Sequence, residues 1–126
     1  MTVLLDTQAF LWWIADDAKL TKAARNAIAA NACLLSLASC WEMAMKSSLG
    51  KLETPRPLDR FIQEQLEING FSLLPIALEH ATGVAELPFH HRDLFDRLLA
   101  VQARLEELAV VSSDPAFNKY GVRRIW

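Results

Sequence analysis

The stretch TVLLDTQAFLWWI, residues 2–14, changes its period in the middle. Thr2 to Leu5 is a short, β-rich apolar run that reads as a strand. At Asp6 and Thr7 the pattern switches: Thr7, Phe10, Leu11 and Ile14 recur at helical spacing behind a capping aspartate. The same strand-to-helix step recurs along the chain, which is the pattern of an α/β sheet with helices packed on its faces.

Thr21 is a good N-cap for a second helix reaching about Ala30, and Ala32 to Leu37 reads as the next strand. Ser39 is expected to cap a helix whose apolar side carries Trp41, Met45 and Leu49 before Gly50 ends it. After the connector Glu53 to Pro57, residues Leu58, Phe61, Ile62 and Leu66 mark a helix closed by Asn69 and Gly70. Phe71 to Leu74 is a short apolar run, and Leu78 to Leu87 is helical until Pro88 stops it. Asp93 caps a longer helix to about Leu108, with Phe95, Leu98, Leu99, Gln102 and Leu105 on its packed side. Ala109 to Ser112 is the last clear strand, Ser113, Asp114 and Pro115 make a turn, and Arg123 to Trp126 adds a weak edge strand. The fold class is therefore α/β, a mainly parallel, doubly wound sheet whose reaction site lies beyond the carboxyl ends of its strands.

Composition agrees with one domain spanning residues 1–126: hydrophobic residues make up 52% and charged residues 22% of the chain. A formal net charge of -2 gives no global electrostatic case for nucleic-acid binding, so any such case is local. Cys33 and Cys40 have neither zinc-ligand spacing nor the look of a disulfide framework, which suits a reducing cytoplasm. No apolar run approaches the roughly 20 residues of a membrane span, and no basic region precedes the first apolar segment as in a secretory signal.

The placement of the acids is more informative than their number. Asp6 follows the first strand, Glu42 is expected in the first turn of the helix after the second, Asp96 lies in the first turn of the long helix, and Asp114 follows the last clear strand. In a parallel sheet these places share one edge, so the four carboxylates converge. Converging carboxylates repel, and each must take up a proton or find a cation. Magnesium or manganese meets that need, since hard oxygen ligands suit these ions and no Cys/His set competes for a softer one. Such an ion activates water and stabilises the oxyanion leaving a phosphodiester, which points to hydrolysis of a nucleic-acid backbone without a covalent enzyme intermediate. Each acid also has a structural reading as a cap or turn residue; Asp93 is kept there, although it shares a helical face with Asp96.

The blocks LLDTQAFLWW, SLASCWEMAMKSSLGKL, HRDLFDRLLAVQA and VVSSDPAFNKYGV resemble, in order, the signature blocks of PIN-domain proteins of the VapC branch. The resemblance covers essentially the whole chain and implies a three-layer α/β/α fold. It also implies a magnesium- or manganese-dependent endoribonuclease, a toxin neutralised by a cognate VapB-type antitoxin, and a homodimer. Residue by residue, Asp6, Glu42, Asp96 and Asp114 match the family's acidic metal-binding positions, and Thr7 and Ser113 match its hydroxyl positions beside the first and last acids. Gln8, Cys40 and Leu94 stand where the family often has other residues, and none replaces a carboxylate. The antitoxins resemble short helical segments laid into apolar grooves, often with a basic side chain reaching the acidic site.

Positive charge for RNA phosphates is sought in Lys46, four residues after Glu42, in Arg97 beside Asp96, and in the flanking Lys51 and Arg92. His80, His90 and His91 lack metal-ligand spacing, and His90-His91 reads as a loop pair rather than a catalytic base. Trp12 and Trp13, adjacent on a helix, cannot both face the core, so one is a candidate interface residue. Two rival readings remain. A doubly wound magnesium-dependent phosphatase wants a second Asp two residues after the first, where Gln8 stands. A catalytically inactive RNA-binding or dimerising scaffold is expected to lack one of the four acids, and all four are present.

Overall fold

A computed structural model describes every residue, Met1–Trp126. Its strands are β1 (Thr2–Leu5), β2 (Ala32–Ser36), β3 (Ser72–Leu74), β4 (Ala109–Val111) and β5 (Arg124–Ile125). Its α-helices are α1 (Thr7–Ile14), α2 (Lys22–Ala30), α3 (Leu37–Ser48), α4 (Leu58–Asn69), α5 (Leu78–Gly83) and α6 (Leu94–Leu105), with 3-10 turns at Val84–Glu86 and Pro115–Tyr120. The strands form one sheet in the order β3-β2-β1-β4-β5, parallel throughout rather than mainly so.

Parallel strands need both faces covered, and the side chains divide accordingly. Val3, Leu5, Cys33, Leu35, Ala109 and Val111 join Phe10, Ala24, Ile28, Met43 and Ile62 in one core cluster, beneath α1, α2, α3 and α4. Leu4 and Val110 point the other way, into a second cluster with Leu98, Leu99, Val101, Phe117 and Tyr120. The result is the three-layer α/β/α arrangement. Trp12 and Trp13 both end half-buried against the first cluster; Trp12 packs on Trp126, and Trp13 donates its indole N–H to Asn69 at 3.0 Å. No helix is long and apolar enough to cross a membrane.

The chain leaves β1 toward β2 and β3 on one side and returns to β4 and β5 on the other. The topological switch point thus lies between β1 and β4, where the crevice at the carboxyl ends of an open parallel sheet forms. Leu5 is in register with Leu35 and with Val111, so the residues that follow them leave the sheet at one level.

Several local expectations are corrected. The cap of α3 is Ser36, whose Oγ accepts from the Ala38 N–H at 3.0 Å; Ser39 lies inside the helix and is buried, so β2 ends before Leu37. The face that α3 buries is Ala38, Ser39, Glu42 and Met43, while Leu37, Trp41, Met45 and Leu49 are exposed. Leu105 is likewise exposed, and α6 stops there instead of near Leu108 because the chain turns through a positive φ of 54° at Glu107. The stretch from Leu78 to Leu87 is a short helix followed by a 3-10 turn.

Candidate active site

Asp6 is the residue at which β1 becomes α1. Its backbone is extended, and one carboxylate oxygen accepts from the Ala9 N–H at 2.7 Å, so the acid caps the helix it precedes. It is also buried, and burial pushes its pKa up; hydrogen bonds from Ser112 and Ala9 oppose the shift, while the charges of Glu42 and Asp114 add to it. Asp114 caps the following 3-10 turn through the Ala116 N–H at 2.9 Å. Both acids therefore cap the element they precede, and Asp6 also feels the charge of Asp114.

Asp96 lies in the first turn of α6 behind the cap Asp93, which accepts from the N–H groups of Phe95 and Asp96. Its pKa is raised to about 7, by burial first and then by Asp93, Glu42 and Asp6, against a lowering by His91. Glu42 enters from the second turn of α3, not the first, and so is not part of a capping box. It is held on two sides: the Thr7 hydroxyl lies 2.7 Å from Oε1, and Lys46 Nζ lies 2.6 Å from Oε2. Thr7 is also 2.9 Å from Ser39 Oγ; since a carboxylate only accepts, the Thr7 proton goes to Glu42 and Ser39 completes the chain. The bond to Glu42 leads in raising the pKa of Lys46, with Asp93 and Asp96 adding to it against some burial, so this lysine stays protonated within the acidic cluster.

Charge couples Asp6 with Glu42 and Asp114, and Asp96 with Glu42 and Asp6; of the four acids, Asp96 and Asp114 are the two whose ligand atoms lie within 4.8 Å of each other, while Asp6 and Glu42 lie outside that group. Thr7 sits among them. Ser113 does not: it is exposed, whereas Ser112 is buried, accepts from the Asp114 N–H at 3.0 Å and helps to hold the Asp6 pKa down. Register supplies the signal that distinguishes the two serines, because Leu5 pairs with Val111 and the next residues are Asp6 and Ser112.

Arg97 is the second correction. It is buried, its guanidinium donates to the carbonyls of Val84, Leu87 and Pro88 at 3.1–3.2 Å, and it stacks on Phe89, which leaves no donor fork facing solvent phosphates. Lys51 and Arg92 remain exposed.

His91 is the residue that spacing did not reveal. It is buried, with Nε2 2.6 Å from Asp114 Oδ2, Nδ1 2.9 Å from the Tyr120 hydroxyl, and its ring stacked on Tyr120. Ligand atoms of His91, Asp96 and Asp114 all lie within 4.8 Å of one another. Burial pushes the Asp114 pKa up, but the Ala116 N–H, His91 and Arg124 together outweigh it and hold this carboxyl below its ordinary value. His80, by contrast, is structural: Nδ1 accepts from the Ala77 N–H at 2.9 Å, so Nε2 carries the proton that meets Glu106. Cys33 and Cys40 are free thiols, both pushed up to about 11 by burial and so unreactive near neutrality.

Among known families, the chain matches the model of the PIN domain over residues 3–122. Among curated proteins it is similar to ribonuclease VapC16 of Mycobacterium tuberculosis (strain ATCC 25618 / H37Rv), at 39% identity over 51 residues, which are 40% of this chain and 35% of that protein. The match therefore spans about a third of that relative's length. Among solved structures, VapBC2 from Rickettsia felis bound to a promoter DNA fragment superposes with a TM-score of 0.66 at 15% identity, covering 100% of both chains. FitAcB from Neisseria gonorrhoeae gives 0.59 at 18% identity, covering 98% of this chain and 96% of that one. A toxin-antitoxin complex from Klebsiella pneumoniae gives 0.52 at 12% identity, covering 89% and 86%. At these identities the likeness is one of fold.

Proposed function

The chain belongs to the PIN-domain family, and from that membership we propose that it is a VapC-like toxin: a magnesium- or manganese-dependent endoribonuclease held in check by a VapB-type antitoxin. The observation that carries the reading is the anionic crowding at the switch point, where Asp6 and Asp96 are both pushed toward protonation by burial and by neighbouring carboxylates. Lys46 is the cation nearest this group, and it is engaged by Glu42. The donor set of carboxylate oxygens fits a hard divalent ion, with Asp6, Glu42, Asp96 and Asp114 as the residues that would hold it. When bound there, such an ion supplies Lewis acidity, lowering the pKa of a water and drawing charge off a phosphoryl oxygen.

The protein's own groups prepare that chemistry. Thr7 and Lys46 fix the two oxygens of Glu42, and the Asp6 backbone N–H donates to the Val111 carbonyl at the end of β4. Asp96 must shed the proton that crowding favours before it can act as a ligand, and Asp93 keeps the α6 terminus in place as its cap. Exposed Lys46, Lys51 and Arg92 would offer charge to RNA phosphates.

A basic side chain on an antitoxin helix would meet the acidic cleft and occupy it, which is how inhibition would arise. The homodimer and the cytoplasmic location extend the family reading, and the free thiols of Cys33 and Cys40 suit a reducing compartment. The test is cleavage of cellular RNA by the purified protein with manganese, with chelator, and with Asp6→Asn. Endonucleolytic products in the first arm alone support the reading. Products in the chelated or Asp6→Asn arm contradict the metal mechanism, and release of phosphate from a small monoester without RNA cutting would restore the phosphatase.

A further inference from the structure

His91 stands in the segment between the Val84–Glu86 turn and α6, and that segment is not loose. Arg97, one position beyond Asp96, grips the carbonyls of Val84, Leu87 and Pro88 and so anchors the segment to α6. The His91 ring then packs against two aromatic neighbours, its centroid 4.9 Å from Phe117 and 5.4 Å from Tyr120. One nitrogen is paired with the Tyr120 hydroxyl, and the other points at Asp114. Asp114 Oδ1 is already fixed by the Ala116 N–H, so His91 holds the second oxygen and removes the remaining freedom of the carboxylate.

We infer that His91 is a positioning residue for the cation site: its Nε2–H donates to Asp114 and presents that carboxylate to the ion in a fixed orientation, in the same frame that carries Asp96. The inference rests on the proposed metal site and adds to it a residue that touches neither ion nor RNA. The Nε2 atom is the donor here because a carboxylate has no proton to give, and Nδ1 accepts from Tyr120 when the ring is neutral. Partners of this kind, one bond removed from the ion, set metal affinity by holding its ligands in place.

Two substitutions of similar bulk separate the donor from the ring. His91→Gln keeps an N–H where Nε2 stands, and His91→Leu fills the space beside Phe117 and Tyr120 without one. The readout is the affinity for Mn²⁺ alone, followed by the electron paramagnetic resonance of the free ion, with thermal melting in chelator as the check on folding. We expect His91→Leu to bind Mn²⁺ about tenfold more weakly or worse, and His91→Gln to recover most of the loss. Equal affinity in wild type and His91→Leu overturns the inference while leaving the metal site standing. Equal weakness in both variants overturns it too, since it would make the imidazole a ligand in its own right, a role its distance to Asp96 and Asp114 allows. Failure of wild type to bind Mn²⁺ removes the metal reading and this inference with it.

Discussion

Asp96 concentrates the tension of the site in one side chain. Its pKa lies near 7 against an ordinary 3.8, from burial first and then from Asp93, Glu42 and Asp6. A carboxyl whose folded pKa is raised favours the native state below the unfolded value, and that contribution is lost as pH rises through the folded one. Without metal, stability should therefore fall between about pH 4 and about pH 7, and Asp6 adds to the same trend. Asp96→Asn abolishes the penalty: its unfolding free energy in chelator should exceed wild type by on the order of 1–3 kcal/mol at about pH 8 and match it near pH 3. Urea unfolding at the two pH values checks this, and an Asn variant less stable than wild type at high pH would refute the electrostatic account. The serines make a second test. Ser112→Ala should weaken Mn²⁺ binding several-fold, since it removes the buried hydroxyl that accepts from the Asp114 N–H, whereas Ser113→Ala should leave it unchanged.

Helix α3 shows why the sequence misleads at the level of the element. An apolar stripe at helical spacing reads as a core face, yet Trp41, Met45 and Leu49 are exposed, at 47%, 45% and 63%. The buried face is built from Ala38, Ser39, Glu42 and Met43, because small residues let α3 approach and the site needs Glu42 beside Thr7. Periodicity reports that two faces exist; which one meets the sheet depends on neighbours that lie elsewhere in the chain. Met45→Gln and Leu49→Gln should each shift stability by less than about 0.5 kcal/mol, while Met43→Ala should cost about 2–5 kcal/mol. Chemical denaturation of the isolated chain decides between the faces, and the reverse ranking would contradict them. Trp41 meets Phe95 of α6 edge to face at 5.0 Å. Arg97 teaches a similar lesson from α6. Its charge and position beside Asp96 suggest a phosphate contact, but only tertiary structure reveals three waiting carbonyls. Arg97→Met should destabilise the fold by about 2–3 kcal/mol through those unpaired groups, and RNA affinity lost at unchanged stability would restore the phosphate role.

The whole molecule is legible where the signals are local and repeated. Asp6, Thr21 and Asp93 announce helix starts with capping side chains that the structure uses as such, and Gly70 closes α4 with a left-handed φ of 67°. Four strands stand out as apolar runs, and β5, of two residues, is marked only weakly because the edge it occupies needs little burial. That the sheet is parallel throughout follows from helices between strands, and it puts Asp6 and Asp114 just beyond the carboxyl ends of the adjacent strands β1 and β4. His91 stayed hidden because its partners Asp114 and Tyr120 are distant in sequence and its role depends on a loop that Arg97 shapes. The most direct measurement of the central claim is the anomalous scattering of crystals soaked in Mn²⁺. The account predicts a peak within ligand distance of carboxylate oxygens of Asp6, Glu42, Asp96 and Asp114, lost in Asp6→Asn; density showing no ion among these acids, or one bound only elsewhere, would contradict it.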